Sequence, residues 1–591
     1  MTTSPFRLPR KTPFGIGENV AEWATGLSKL DQLYAQRPAN CTTEEFLRFA
    51  LESLGISYQI EGGQLSSVPK TGATVVIANH PLGGIEGVIL AELLLSVRPD
   101  VKILANQYLS LVPELASLFI GVDVLEQDRT KRTNTKALRQ ANQHLAEHGL
   151  LLIFPAGEVS HPTQRDLSRV EDKAWHRSVA SLVKRHKALT VPFFIHGHNS
   201  KPFYAAGKIH PMLRTVLLGR ELLNKKQQPI KLTIGTPIKC KELANLNDQQ
   251  AVYYLRLNTY LLRHQARQRK VTHLTTQHVE PISSPKPLEL ILAEIQALKP
   301  SAHLLTSGQF SVYCAAFDDI PHLMHEIGRV REINFRAVGE GTGKAIDVDQ
   351  FDRDYLHLFV WDNEKQSLVG AYRLGLVDKI IAKQGIEGLY SRTLFDYQQA
   401  FITRIGENKA IEMGRSVVAA EYQKSMSALL LLWKGIATFV SHHPQYTTLF
   451  GPVSISDEYN DTAKHLLTET LSLHHYDQES ASLVKPINPM LNEHYQWPSE
   501  LLSSLIDLQL LSRVIARIDD GKSVPVLLRQ YLGLNGKLVS FNVDPDFNNA
   551  LDGLIVVDLA SVSVKTLGRY MTMDKAQAYL ELHCAKPSSI F

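Results

Sequence analysis

The sequence predicts an α/β protein with two halves, each built around a β-sheet. In both halves, short apolar runs rich in β-branched residues alternate with helical stretches, the pattern of strands and helices packed in layers. Residues 275–287 separate the halves, because this stretch is polar, contains three prolines and has no apolar periodicity. We expect strands in the first half at TVVIANH, VKILAN, LLIFPAG, LTVPFFIHG and IKLTIGTPI. We expect a mixed sheet in the second half, with a helix at 422–441 and strands at DYLHLFVWD, SLVGAYRLG, KAIEMGRSVV and TTLFGPVSIS.

Length and composition narrow the class of protein. A chain of 591 residues is too long for one core, so two to four domains are expected. The net charge of +4 is too small to indicate nucleic-acid binding, although it is compatible with an anionic membrane or an acidic partner. The four cysteines are scattered without CxxC spacing, which argues against a zinc site or a disulfide framework. No signal peptide and no apolar run of membrane-spanning length is found.

In the first half, one strand ends in a histidine. Residues 75–90 read VVIANHPLGGIEGVIL, so His80 follows the apolar run and Glu86 follows the Gly83-Gly84 pair. A histidine beside a carboxylate suits general-base catalysis, in which the ring takes a hydroxyl proton and the acid stabilises the imidazolium. On its own, the pair fits equally a structural contact within the fold.

Three further blocks follow in order. GVDVLEQDRTKR reads as a strand that ends in Arg129, Lys131 and Arg132. LLLIFPAGEVSH is a strand that runs into a Pro-Gly loop, and LTVPFFIHGHN contains Pro192. Together with Asn79-His80, these blocks resemble the glycerolipid acyltransferase family over about residues 60–245. That family carries an NHxxxxD motif, a glycine-to-arginine block, an FPEG loop and a VP block.

The resemblance implies a function for each matching residue. His80 would be the base that activates a lipid hydroxyl for attack on an acyl thioester, with Glu86 as its acid. The acceptor would be bound by Arg129 and by a loop whose residues are Phe154, Pro155, Gly157 and Glu158.

Two positions depart from the family pattern. Position 85, where the family has its acid, is Ile85, and the acid follows at Glu86. The longer glutamate side chain in a Gly-Gly loop is expected to return to the ring. The glutamate of FPEG is replaced by Ala156, with Glu158 two positions later, which suggests an acceptor that is not a simple glycerophosphate. Glu158 is either a contact for a cationic or hydroxyl group of that acceptor or a surface acid.

Residues 251–270 form a basic amphipathic stretch, AVYYLRLNTYLLRHQARQRK, which contains no acid. Such a helix either lies in a lipid interface or packs on its own domain and shows a charged face to water.

The second half contains charged residues at regular intervals within and beside predicted strands. Glu412 and Arg415 are three positions apart and would face opposite sides of a strand unless a bulge at Gly414 turns the chain. Taken singly, each charge fits an ion pair that holds the fold. The candidate residues are Arg331, Phe335, Asp349, Asp352, Arg373, Glu412 and Arg415.

As a set, these residues resemble the GNAT-like N-acyltransferases that acylate ornithine, over about residues 310–460. Those enzymes show an early Arg and Phe, a D-x-x-D pair, a strand Arg-Leu and an E-x-[GS]-R block, in the same order. The resemblance implies that Glu412 acts as a base and that Asp349 and Asp352 seat a diamino acid.

The acyl donor is predicted from a missing motif. The strand that contains Glu412 is followed by AAEYQKSMSALL, without the glycine-rich loop that cradles the pyrophosphate of coenzyme A. We therefore expect acyl carrier protein as donor. Because carrier proteins are acidic, a basic surface should receive it, with Arg329, Arg331, Arg336 and Arg353 as candidates.

Together, the two halves resemble the bifunctional ornithine lipid synthases. The resemblance implies that the second half N-acylates ornithine with a 3-hydroxyacyl chain and that the first half esterifies the 3-hydroxyl. We expect a peripheral protein on the cytoplasmic face of a bacterial inner membrane, without cofactor, metal or nucleic acid. The alternatives are another amino acid such as glycine or lysine, a glycerolipid acceptor, or a non-catalytic membrane scaffold.

The expected domain boundaries follow from this reading. They are a helical segment over 1–60, the O-acyltransferase domain over 61–270, a linker over 271–300, the N-acyltransferase domain over 301–495 and an extension over 496–591. The sequence does not place the extension in either fold.

Overall fold

A computed structural model describes residues 4–8, 16–106, 111–122, 128–162, 169–209, 211–225, 228–265, 279–491 and 497–584. The chain divides into two compact units. The first comprises Met1–Arg269 and Trp497–Gly521, and the second comprises Lys270–Gln496 and Lys522–Phe591.

The strands and helices of the described residues are numbered here in chain order. The strands are β1 (Tyr58–Gly62), β2 (Thr74–Ala78), β3 (Val101–Asn106), β4 (Phe119–Val122), β5 (Leu150–Ile153), β6 (His161–Pro162), β7 (Val170–Glu171), β8 (Leu189–Ile195), β9 (Ile230–Ile234), β10 (His303–Ser307), β11 (Phe310–Ala316), β12 (Leu356–Asp362), β13 (Ser367–Leu376), β14 (Phe395–Tyr397), β15 (Ala410–Val418), β16 (Thr448–Ile455), β17 (Val484–Pro486), β18 (Lys537–Asp544) and β19 (Ala550–Asp558). The helices are α1 (Ile16–Thr25), α2 (Leu27–Tyr34), α3 (Thr43–Leu54), α4 (Gly84–Leu95), α5 (Asp128–Ala146), α6 (Ser178–Arg185), α7 (Lys201–Ile209), α8 (Pro211–Leu223), α9 (Asp248–Gln265), α10 (Leu288–Ala297), α11 (Pro321–Ala337), α12 (Val377–Gln384), α13 (Gln399–Ile405), α14 (Met426–His442), α15 (Asp461–His474), α16 (Gln478–Ala481), α17 (Ser499–Leu502), α18 (Leu508–Ile518), α19 (Val526–Gly533), α20 (Val564–Leu567) and α21 (Met573–Cys584).

The first unit is built on a seven-stranded sheet in the order β1-β9-β8-β2-β5-β3-β4. The central strands β8, β2, β5, β3 and β4 run parallel, whereas β9 is antiparallel to β8 and pairs in parallel with β1. Every residue of β2 is buried, as expected for a central parallel strand covered on both faces. Since ligands of parallel sheets bind beyond the carboxyl ends of the strands, the loop after β2 is well placed for chemistry.

The second unit is built on an eight-stranded sheet in the order β10-β11-β12-β13-β15-β16-β19-β18. Neighbouring strands are antiparallel except β15 and β16, which pair in parallel. That parallel pairing covers only Ala410–Glu412 against Thr448–Phe450, so the two strands separate beyond Glu412. The separation opens a cleft in the middle of the sheet.

The predicted fold class is confirmed, because both units are layered α/β structures and the second has a mixed sheet. All nine strands expected in the two sheets are present, and the helix expected at 422–441 corresponds to α14. The block GVDVLEQDRTKR differs from expectation. Only its first two residues belong to a strand, β4, and Arg129 lies in α5, while residues 123–127 lie outside the described part.

The basic amphipathic stretch packs on its own unit. Within α9, Leu255, Leu257, Leu261 and Leu262 are buried, which contradicts a position of this face in a lipid interface. Arg263 donates a hydrogen bond to the Val170 carbonyl at 3.0 Å, so this basic side chain also stabilises the fold of the unit. Residues 266–270 lie outside the described part.

The segment that the sequence did not place divides between the units. Trp497–Gly521 belongs to the first, in which Arg517 of α18 forms an ion pair of 2.5 Å with Glu242. Lys522–Phe591 belongs to the second, in which β18 and β19 complete the sheet beside β16. The expected domain boundaries otherwise stay a prediction.

Candidate active sites

The His80–Glu86 pair forms at the turn between β2 and α4. Glu86 is the third residue of α4, and its carboxylate accepts hydrogen bonds from the amides of Leu82 and, at 3.0 Å, Gly83. The same carboxylate lies 2.5 Å from His80 Nδ1. The first turn of the helix therefore returns the acid to the ring, although the sequence analysis expected a loop at this position.

Gly83 is required where the chain enters this turn. Its φ is +96°, and a Cβ at this position would lie 2.5 Å from Leu218 Cδ2 on α8. Left-handed backbone and close side-chain approach both favour glycine. The second glycine of the pair, Gly84, opens the helix and has no comparable restriction.

Two buried polar residues hold the backbone on either side of His80. Asn79 bridges β2 to β8, because its amide accepts from the Ile195 N–H at 2.7 Å and donates to the Ile195 carbonyl at 2.9 Å. The Asp172 carboxylate accepts the His80 N–H at 3.1 Å and the Trp175 indole N–H at 2.9 Å. Sequence analysis missed Asp172, since it lies 92 positions from His80 in a stretch without a motif.

The electrostatics of the pair follow from its burial. The Glu86 side chain is completely buried and that of His80 is 18% exposed. Burial lowers the pKa of His80, but the carboxylates of Glu86 and Asp172 raise it more, so the net direction is upward. Burial also raises the pKa of Glu86, partly offset by the facing ring. A ring held through Nδ1 leaves Nε2 to take a proton from a substrate hydroxyl.

The FPAG loop packs directly on the histidine. The Phe154 ring lies 4.6 Å from the His80 ring, centroid to centroid, and the Pro155 carbonyl accepts the His176 N–H at 3.0 Å. Gly157 has a φ of +70°, as expected for a tight turn. The loop therefore lies beside the His80 ring, and its binding of the acceptor stays a prediction.

Glu158 is engaged by two neighbours. Its carboxylate lies 3.1 Å from His161 Nε2 and 2.7 Å from Lys173 Nζ, and its side chain is 30% exposed. These partners outweigh burial and lower the pKa of the carboxyl. Its role toward an acceptor stays a prediction. The side chain of Arg129 lies outside the described residues, and its acceptor-binding role likewise stays a prediction.

In the second unit, the predicted set forms one connected ion-pair network. Asp352 lies between Arg331 and Arg373, at 2.9 Å and 3.4 Å, and all three side chains are completely buried. Asp349 lies between Arg373 at 2.7 Å and Arg415 at 3.3 Å. The arginines hold the pKa of Asp352 well below its usual range. Because these carboxylates are neutralised by arginines, they are poorly placed to seat a substrate amine.

The bulge expected near Gly414 is present. On β13, Ala371 and Arg373 are two apart, whereas their partners on β15, Val417 and Gly414, are three apart. Arg415 occupies the bulge with a φ of +49°. The network thus anchors a strained residue, since Arg415 is held by Asp349 and by Asp347 at 3.3 Å.

Glu412 lies apart from Arg415 and holds a loop. Its carboxylate is 1% exposed and accepts hydrogen bonds from the Tyr355 hydroxyl, the Tyr390 N–H at 3.0 Å and the Ser391 N–H at 2.7 Å. The geometry therefore favours a positioning role, and the predicted role of base is not tested.

A cavity lies where β15 and β16 separate. Phe335, Gly414 and Arg415 line it, as do residues of β16, β18 and β19. Three acids missed by sequence analysis also line it, namely Glu340, Asp544 and Asp552. Asp544 and Asp552 belong to the segment that the sequence did not place, so no local pattern could connect them with Arg415.

The predicted basic surface for a carrier protein is not supported at two of its four residues. Arg331 is completely buried in the network. Arg336 forms an ion pair with Glu332 at 2.6 Å and donates a hydrogen bond to the Lys344 carbonyl at 2.6 Å. Arg329 pairs with Glu326 at 2.6 Å, and Arg353 is exposed.

Comparison with known proteins identifies an acyltransferase domain in each half of the chain. Residues 32–267 match the model of the family described as Acyltransferase, and residues 330–434 match that described as Acetyltransferase (GNAT) domain. The glycine N(alpha)-acyltransferase of Bacteroides thetaiotaomicron is 30% identical over 280 residues, which are 44% of this chain and 80% of the relative. The chain belongs to the same family of acyltransferases.

Two further relatives come from Phocaeicola vulgatus. Its glycine N(alpha)-acyltransferase is 28% identical over 280 residues, which are 44% of this chain and 83% of the relative. Its lyso-glycine lipid O-acyltransferase is 28% identical over 202 residues, which are 33% of this chain and 68% of the relative. The chain is therefore an enzyme, an N- and O-acyltransferase in which two acyltransferase domains are fused.

The matched ranges divide the site residues unevenly. The acyltransferase match contains His80, Glu86 and Asp172, and the GNAT match contains the ion-pair network and the bulge. Asp544 and Asp552 lie outside both matches. Within the described residues, no group of His, Cys, Asp and Glu side chains is arranged to hold a metal, and none of the helices there combines the length and apolar character needed to cross a bilayer.

Proposed function

We propose that this enzyme builds a doubly acylated amino-acid lipid with ornithine as its head group. The second unit acylates the α-amine with a 3-hydroxyacyl chain, and the first unit then acylates the 3-hydroxyl. One observation carries the proposal: a buried His80–Glu86 pair and a cleft between separating strands β15 and β16 occur in one chain.

The first reaction forms an amide. The deprotonated amine attacks the thioester carbonyl, the C–N bond forms, the C–S bond breaks, and the thiol leaves with a proton from the nitrogen. An amine is a strong nucleophile once deprotonated, so the site has mainly to position it and accept its proton. Glu412 contributes by fixing Tyr390, whose ring lies 5.0 Å from the Arg415 guanidinium.

The second reaction forms an ester and needs a stronger base. His80 takes the proton of the 3-hydroxyl while the oxygen attacks a second thioester, and Glu86 stabilises the imidazolium. The imidazolium then returns the proton to the departing thiolate. The acceptor carries no glycerol phosphate, which is consistent with Ala156 in place of the family's loop glutamate.

Glycine is a second candidate for the head group. The relatives from Bacteroides thetaiotaomicron and Phocaeicola vulgatus are named for glycine and lyso-glycine lipid, so sequence similarity favours glycine as head group. The motif resemblance of the second half favours ornithine instead.

We also propose acyl carrier protein as donor and a membrane surface as the source of the lipid acceptor. In the first unit, α1 packs on α8, and exposed apolar side chains project from both helices and from α7. The most exposed are Val20, Trp23 and Ile209, at 61%, 78% and 81%. Leu218 of the same helix α8 lies close to Gly83, so these exposed side chains are on helices next to the His80 turn. An apolar face next to a lipid-acylating site suits contact with a bilayer.

The proposal is tested by expressing the chain in a bacterium that makes no amino-acid lipids and feeding isotope-labelled ornithine. Mass spectrometry should show a doubly acylated lipid that carries the label. An unlabelled head group, such as glycine, would contradict the choice of amino acid. The absence of any new lipid would contradict the proposed function.

A further inference from the structure

Three carboxylates and one arginine line the cavity between β15 and β16. Glu340 follows α11, Asp544 ends β18 and Asp552 lies within β19, and all three line the cavity beside Arg415. Ser454 of β16 ties two of them together, because its hydroxyl donates to Glu340 at 2.8 Å and its Cα is the register partner of Asp552. Three chain segments thus bring their carboxylates to one place.

None of these carboxylates forms a close ion pair in the described part of the chain, although the Arg415 charge acts on all three from a longer distance and lowers their pKa. No Lys, Arg or His nitrogen there lies within 4.0 Å of them. Arg415, the base that lines the same cavity, is instead held by Asp347 and Asp349. The acids are therefore not explained by ion pairs that stabilise the fold.

Asp552 is the most informative of the three. It is 7% exposed and lines the cavity, and its carboxylate makes no hydrogen bond or ion pair with any described residue. Burial and the neighbouring Asp544 and Glu340 raise the pKa of Asp552 well above its usual range, and the Arg415 charge offsets only part of this increase. A buried carboxylate without a close partner destabilises the folded state unless it is protonated or paired, so a cationic group that enters the cavity would bind it favourably.

We infer that Glu340, Asp544 and Asp552 form a subsite that binds the side-chain ammonium of the acceptor amino acid. This inference rests on the proposed N-acylation and deepens it, since the subsite determines which amino acid is used. The aromatic walls Tyr372, Tyr531 and Phe547 suit the apolar carbons between the two amines. Glycine has no second ammonium to occupy the subsite.

The first test compares acceptors with and without the second amine. Purified full-length chain is assayed with a 3-hydroxyacyl-acyl carrier protein and with L-ornithine, L-norvaline or glycine. L-Norvaline is ornithine without the terminal amine. We expect kcat/KM for ornithine to exceed that for norvaline by about 10²-fold or more, because the analogue leaves buried acids unpaired. Equal use of norvaline or glycine would overturn the subsite while leaving N-acylation intact.

The second test uses Asp552→Asn, with Asp558→Asn on the same strand, β19, as the matched control. Asp558 is exposed and lies outside the cavity lining. Asp552→Asn should reduce the preference for ornithine at least tenfold, mainly through KM, whereas Asp558→Asn should not change it. The melting temperature of the ligand-free Asp552→Asn chain should not fall, since no native partner is lost. A clear fall with unchanged preference would indicate a structural role and overturn the inference.

Ligand-induced stabilisation separates this inference from the proposed reaction. L-Ornithine should raise the melting temperature of the wild-type chain and not that of Asp552→Asn. If no amino acid is acylated but this difference is found, the proposed function fails and the subsite stands. If ornithine neither stabilises the wild-type chain nor is preferred in turnover, the subsite is wrong.

Discussion

The two units place their reactive groups in different ways. In the first, His80 and Glu86 are six positions apart and meet across one strand–turn–helix connection. In the second, the cavity acids and Arg415 come from positions 340, 415, 544 and 552 and meet only when the sheet is complete. The first site is a local motif, and neighbouring carboxylates shift the pKa of its histidine. The second site forms only through the topology of the sheet, and an ion-pair network of arginines stabilises it.

The largest expected effect separates the two units by activity. Glu86→Gln removes the charge that stabilises the imidazolium, so O-acylation should fall by about 10²- to 10⁴-fold. N-acylation of the amino acid should be unchanged. The measurement is the rate of each acylation on purified substrates, with the exposed Glu52→Gln of α3 as control. If the variant kept more than half of its O-acylation rate, the pair would not be catalytic.

The next effect tests the network by stability. Asp352→Asn leaves the buried Arg331 without its counter-charge and Arg373 with Asp349 alone, which should destabilise the second unit by about 3–5 kcal/mol. Asp354→Asn is the control, because Asp354 pairs with Lys383, which is 67% exposed, and should lose at most about 1 kcal/mol. Denaturant unfolding of both variants measures the difference. Equal loss in both would mean that the network does not carry the stability of this region.

A smaller effect concerns the pH dependence of O-acylation. A general base must be neutral, and Glu86 and Asp172 raise the pKa of His80 above its usual 6.5. The rate should therefore fall as the pH drops through this raised value. Asp172→Asn removes one of the two acids, so the His80 pKa should decrease and the acid limb of the profile should move to lower pH. A profile that does not move would show that Asp172 acts only on the backbone.

The smallest expected effect is at the FPAG loop. Glu158→Gln weakens its contacts with His161 and Lys173 and removes a partly exposed charge. If Glu158 contacts the lipid acceptor, the KM for that acceptor should rise a few-fold with little change in kcat. An unchanged KM would show that Glu158 is a surface acid of the loop.

The same contrast explains what the sequence could predict. The nine quoted strands were predictable from apolar runs, whereas β1, β10 and β11 and the order of strands in each sheet were not predicted. The His80–Glu86 contact was predictable because six residues permit few geometries. Arg129 was assigned to a strand wrongly, since the apolar run ends at β4 and a helix begins at Asp128. The buried leucines of α9 could not be distinguished from a membrane face without knowing what packs on them.

The residues that sequence analysis missed share one property. Asp172 lies 92 positions from His80, and Asp552 lies 137 positions from Arg415, so neither belongs to a local pattern. Asp349 and Asp352 were predicted to seat an amine because their spacing matched a motif. The structure shows that arginines from three other elements neutralise them, and that the unpaired acids lie elsewhere.

The central claim is that two catalysts act in sequence in one chain. The most direct measurement is the lipid content of a bacterium without amino-acid lipids that expresses the His80→Ala chain. Our account predicts that a mono-acylated amino-acid lipid accumulates and that the doubly acylated lipid is absent. A doubly acylated product from this variant, or the absence of both lipids while the wild-type chain makes them, would contradict it.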